Sequence, residues 1–188
     1  MVKTYKPNTE LKKIINDFKD DFTRTAESSK KEYLMTLPSG ARIPNEMKIY
    51  NSEELSKFKE RTAERKAKAL SILDEHLTEV HEKMTAAPSP DAVATLSLLA
   101  TRNNLTSGEL DHLVKQYGDN YQSYRALQDI GAKNNMRIPD HNLTRQESDL
   151  NDLRSSIEKV MTYEKISSSS SLGVYAFIAS TVDGVITD

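Results

Sequence analysis

The chain has 188 residues, of which 37% are hydrophobic and 29% charged, with a net charge of -2 and no cysteine. That length makes one ordinary domain or two small ones, and the near balance of charge predicts neither a nucleic-acid binder nor an anion-repelling protein, which leaves such roles to local patches alone. The lack of cysteine excludes disulfides, thiolate nucleophiles and cysteine-ligated zinc.

The first segment, residues 1–51, begins without the apolar run of a secretory signal. From Thr9 to about Met35 the residues Leu11, Ile14, Ile15, Phe18 and Phe22 recur at helical spacing, with Ala26, Tyr33 and Leu34 continuing more loosely. Thr9 is the expected N-cap, and Ala26 to Ser29 is a weak spot in the pattern that leaves the continuity of this helix open. The connector LPSGARIPNEMKIYN follows, with two prolines and one glycine, and Ile43, Met47, Ile49 and Tyr50 are its expected anchors.

Residues 52–87 hold the longest helical pattern, Ser52 to Thr85, with Ser52 as N-cap and Glu53 and Glu54 at the positive end of the helix dipole. Ala63, Leu70, Leu77 and Met84 recur every seventh residue with Leu73 and Val80 between them, which predicts an apolar seam. At 1.5 Å per residue the helix is about 50 Å long, so the seam is expected to need cover from another long helix or another subunit. The same helix carries six basic and two acidic residues between Lys57 and Lys68. Lys57, Arg61 and Arg65 align at intervals of four, with Lys68 close by, in a stripe suited to phosphates or an acidic partner. Glu60 and Glu64 also allow an ordinary solvated face, and the acidic run from Asp74 to Glu82 favours head-to-tail or antiparallel self-association over DNA binding.

Residues 88–135 read as a three-helix unit: Pro90 to Arg102, Ser107 to Tyr117 and Tyr121 to Lys133. Ser89 is the N-cap of the first, Thr106 and Glu109 form a capping box for the second, and Gly118 and Asn134 are stops. Val93, Leu96, Leu99, Leu110, Leu113, Val114, Tyr117, Tyr124, Leu127 and Ile130 supply its expected core. A helix-turn-helix reading is poor, because Tyr121 to Lys133 carries only Arg125 and Lys133 as cations.

Residues 136–166 contain Pro139, a second capping box at Thr144 and Glu147, and a helix from about Arg145 to Lys165, the expected companion of the long one. Residues 167–188 begin with a serine linker and then turn β-prone. Asp183-Gly184 suggests a hairpin, a short helix from Leu172 to Ser180 competes, and Val174, Tyr175, Phe177 and Ile178 are the expected docking contacts. The apolar run from Leu172 to Val182 falls short of the roughly twenty residues that span a membrane, so no membrane contact is expected.

Chemistry finds little footing. His76 and His81 diverge on their helix, Glu109-x-x-His112 is a single pair where a helical di-iron site needs two, and the glycines form no phosphate-binding loop. The acidic runs read as solvated faces. No catalytic, cofactor-binding or metal-ligating residue is therefore assigned.

The stretch RNNLTSGELDHLVKQYGDNYQSYRALQDIGAKNNM, Arg102 to Met136, resembles short helical proteins encoded by phages and prophages of Gram-positive bacteria. The resemblance rests mainly on YGDNYQSYRALQDIGAKNN, under a fifth of the chain. It implies a virion or assembly role, in the virion or the host cytoplasm, and the tail after Ser171 departs from the basic helical end usual in scaffold proteins. The expectation is a mainly α-helical, elongated, non-enzymatic protein of phage type, a homo-oligomer that contacts other virion or assembly proteins. A nucleic-acid accessory protein using the basic stripe and a mobile-element protein binding one host partner are the alternatives.

Overall fold

Leu11, Ile15, Phe18, Phe22 and Ala26 are all buried, and they hold the first helix, α1 (Pro7–Met35), to the rest of the fold. In the computed structural model, which describes residues 7–161, 181, 182 and 186, the chain is mainly α-helical, with six helices and no strand among the described residues. The others are α2 (Ser52–Thr85), α3 (Pro90–Leu99), α4 (Ser107–Tyr117), α5 (Tyr121–Lys133) and α6 (Asn142–Val160). None of these helices is long and apolar enough to cross a membrane. Two compact units result, residues 1–74 with 150–188 and residues 75–149.

In the first unit α1 runs through the weak spot at Ala26 to Ser29 without interruption. The reason is Ser29, whose buried hydroxyl accepts the backbone N–H groups of Tyr50 at 2.7 Å and Asn51 at 2.8 Å. A polar residue that weakens the apolar pattern thus ties α1 to the segment entering α2. The connector is anchored by Ile49 and by Tyr50, which stacks on Tyr33 at 4.4 Å, whereas Ile43 is exposed. Asn51, not Ser52, caps α2: its side-chain oxygen accepts from Glu53 N at 2.9 Å and Glu54 N at 3.2 Å. The N-terminal start also differs, since α1 begins before Thr9.

Phe58 of α2 inserts between Phe18 and Phe22, with ring centroids 5.8 and 5.7 Å away. Leu150, Leu153 and Ile157 of α6 are buried in the same unit, as is Leu73 of α2. Lys66 donates to the Glu158 carbonyl, and Arg154 pairs with Asp74, an order that fits antiparallel α2 and α6. Near the C-terminus Val182 and Ile186 are buried, the Ile186 N–H donates to the Val182 carbonyl, and the Ile186 carbonyl accepts from Asn8. Thr181 and Val182 are helical, while the expected hairpin turn at Asp183-Gly184 and the competing helix from Leu172 to Ser180 lie outside the described residues.

In the second unit α4 and α5 have the expected boundaries. Thr106 and Glu109 form the capping box in both directions, and Asn120 caps α5 by accepting from Ser123 N. Leu96, Leu105, Leu110, Leu113, Leu127 and Ile130 form the core, with Leu99, Val114, Met136 and Ile138 packed on it. Helix α6 starts earlier than expected because His141, not Thr144, is its cap: Nδ1 accepts from Leu143 N at 3.1 Å. Glu147, released from a capping role, meets His81 of α2 at 2.6 Å.

Candidate interaction surface

The second unit presents one face that its composition does not explain, the solvent side of α3. Ser89 caps this helix by accepting from Ala92 N, and Pro90 occupies its first turn. Ala92 and Leu96 are buried, with Leu99 half-buried beside them. Val93, expected in the core, is 49% exposed, and Leu98 is 74% exposed. The physical reason is geometry: residues 92, 96 and 99 already fill the inward arc, and 93 and 98 fall on either flank of the outward one. Ala94 and Ser97 are exposed between those flanks. From Ala92 to Thr101 there is no charged residue, although 29% of the chain is charged. A helix with no charged face and with large apolar side chains on both flanks gains by cover on more than the one side that is buried here.

A groove of about 360 Å³ runs between α3 and α5 beside this face, lined by Val93, Leu96, Ser97 and Ala100 on one wall and Ser123, Ala126 and Ile130 on the other. Val93 and Ser97 belong to both the groove and the open face, so the two are continuous, and the charged residues Asp129 and Lys133 of α5 line the far side of the groove. Lys133 sits at the end of the groove and donates to the Ala100 carbonyl at 3.1 Å, satisfying one of the carbonyls left open where α3 stops. Ser123 is 2% exposed, and its hydroxyl has no hydrogen-bond partner among the described residues.

The expected seam on α2 is not such a face. Leu73, Leu77 and Val80 are buried by the chain itself, Leu70 and Met84 are half-buried, and Ala63 is exposed. The buried residues of α2 are Phe58, Thr62, Ala69, Ile72, Leu73, Leu77 and Val80, among which 58, 69 and 80 recur at eleven residues. That is the period of a nearly straight helix, from which a seven-residue repeat drifts by about 20° per heptad. The ridge expected to seek another subunit is therefore largely occupied at home.

The basic stripe is also engaged within the chain. Arg61 and Arg65 turn onto Asp21 of α1, with Arg61 Nε 2.9 Å and Arg65 Nη1 2.6 Å from Oδ2. Lys57 pairs with Glu53 at 2.7 Å and Lys68 with Glu10 at 2.5 Å. Asp21 is 3% exposed and takes Arg24 and Thr25 as further donors. Burial alone pushes its carboxyl up, but the hydrogen bonds from Arg61, Arg65 and Arg24 outweigh it and hold the carboxyl well below the usual range. The stripe is one side of a structural ion cluster, and sequence spacing alone shows nothing of the carboxylate on the other side.

His81 faces Glu147, and His76 lies 3.7 Å from Glu79. No group of three His, Asp or Glu among the described residues is placed to hold a metal ion. A larger polar hollow, about 900 Å³, is lined by Tyr124, His141, Arg145 and the carboxylates Asp119, Asp140 and Asp149. Both ring nitrogens of its histidine have hydrogen-bond partners. Nδ1 is occupied by Leu143 N, so Nε2 carries the proton and donates to the Gly118 carbonyl at 3.2 Å, with the rings of Tyr121 and Tyr124 edge-on. The Tyr124 hydroxyl donates to the Pro139 carbonyl, and burial, helped by the charge of Asp140, pushes it up from its ordinary value. Glu109, the acid of the expected Glu-x-x-His pair, is held down by the Thr106 N–H and hydroxyl, as its capping role requires. The docking residues Val174, Tyr175, Phe177 and Ile178 lie outside the described residues. No protein-family model, curated protein or solved structure matches the chain.

Proposed function

We propose that this chain is a structural or assembly protein of phage type, in the virion or the host cytoplasm, that acts by contact between protein chains and works in more than one copy. The observation that supports this most is the uncharged solvent side of α3, with Leu98 74% and Val93 49% exposed. Burying a leucine is worth about 2 kcal/mol, so a surface of this kind gains by being covered. The contact thus moves from the ridge of α2 to a short helix of the second unit. Size-exclusion chromatography with light scattering tests the proposal: a mass that grows with concentration supports it, and a strict monomer removes its basis. A monomer that co-purifies with one foreign protein favours the alternative of a single host partner. The nucleic-acid reading loses support, because its four cations, Lys57, Arg61, Arg65 and Lys68, each meet a carboxylate of their own chain.

A further inference from the structure

We infer that α3 packs antiparallel against α3 of a second copy, about a twofold axis beside Ser97, with Asp91 of each chain level with Arg102 of the other. The inference rests on the assembly reading above and gives it a partner and an orientation. Near a twofold axis each residue meets its own kind, so charges there repel and are selected against. Ala92 to Thr101 meets that condition, being free of charge throughout. Ala94 and Ser97 lie at the middle of the open face and are small enough for close approach, while Val93 and Leu98 flank them as apolar walls.

Charge sets the direction. Asp91 stands at the start of α3 and Arg102 just beyond its end, both exposed. They are separated by about 16 Å at 1.5 Å per residue, so an antiparallel pair centred between them brings opposite charges together at both rims. A parallel pair sets like against like. Asp91 has the Tyr117 hydroxyl as its neighbour at 2.7 Å, and Arg102 reaches Glu109 at 3.3 Å with 42% of its side chain exposed. Neither is buried in a pair of its own. A ten-residue helix is about 15 Å long and by itself falls short of the roughly 1,200 Å² of a stable interface, so the dimer is weak and concentration-dependent.

The absence of cysteine makes the test direct, because a single introduced cysteine can bridge only to its own copy. Ser97→Cys places the two sulfurs beside the axis, where Cα atoms within about 6 Å can bridge. In the full chain under mild oxidation it is expected to give a disulfide-linked dimer, while Lys115→Cys on α4 stays monomeric. Asp91→Arg and Arg102→Asp are each expected to weaken the dimer about tenfold, as two rim pairs turn repulsive, and the double reversal is expected to restore it. Self-association that persists with no Ser97→Cys cross-link and no restoration by the double reversal overturns this arrangement and leaves the assembly reading standing. A chain that is monomeric at every concentration overturns both.

Discussion

Arg61 grips Asp21 through two donors, Nε 2.9 Å from Oδ2 and Nη2 3.2 Å from Oδ1, across forty residues of sequence. Arg65 adds a third bond at 2.6 Å, and together they fasten α1 to α2 at a buried carboxylate. Asp21→Asn leaves those guanidinium groups facing a neutral acceptor. The expected loss is about 2 kcal/mol, below the 3–5 of a fully buried pair because Arg61 and Arg24 reach solvent that screens them. Arg24→Ala, at the exposed edge, is expected to cost under about 0.5 kcal/mol. Urea unfolding of the two variants beside wild type measures both.

The same carboxyl sets an acid response. Its folded value lies below its unfolded one, near 3.9, so the unfolded chain binds the extra proton as pH falls through that region. Stability from this cluster is therefore complete above about pH 5 and is lost progressively below about pH 4. Asp21→Asn is expected to show a smaller drop in urea midpoint between pH 5 and pH 3 than wild type. An equal drop in the two proteins would place the acid sensitivity elsewhere.

Ser29→Ala removes the acceptor of two backbone N–H groups, those of Tyr50 and Asn51. The expected cost is about 1–2 kcal/mol, from donors left without a partner. Hydrogen exchange should speed up at these two amides before it does so in the middle of α2. Unchanged protection there would mean that Ser29 does not hold the connector.

His141→Ala is expected to destabilise the second unit by about 1–2 kcal/mol, through loss of the cap on α6 and of the edge-on packing between Tyr121 and Tyr124. His141→Asn keeps a capping acceptor and is expected to recover part of that loss. Thermal unfolding followed by circular dichroism distinguishes the two. Full recovery would assign the whole effect to the cap.

What could be read from the sequence follows from how local each signal is. Helices α4 and α5 were legible to the residue because Thr106, Glu109, Gly118 and Asn134 act within one turn of where they stand. The long α2 was legible because nothing interrupts it. Its inward side was not, since a seven-residue repeat that includes Ala63 and Leu70 competes with the eleven-residue one through Phe58, Ala69 and Val80, and only packing chooses between them. Asp21 resembled any other acidic residue of a charged helix until α2 brought Arg61 and Arg65 to it. Val93 was placed in the core because the apolar residues of α3 are spread around it with no charged face after Asp91, and such a helix does not declare which side faces inward. That same ambiguity is what leaves an open face.

Sedimentation velocity of the wild-type chain and of Leu98→Glu, over a wide range of concentration, tests the central claim most directly. Leu98 is exposed, so a glutamate there leaves the fold intact, which the helical circular dichroism of the variant verifies. The account predicts a dimer that grows with concentration in wild type and is lost in Leu98→Glu. A wild-type chain that stays monomeric throughout, or a dimer that Leu98→Glu leaves unchanged, contradicts it.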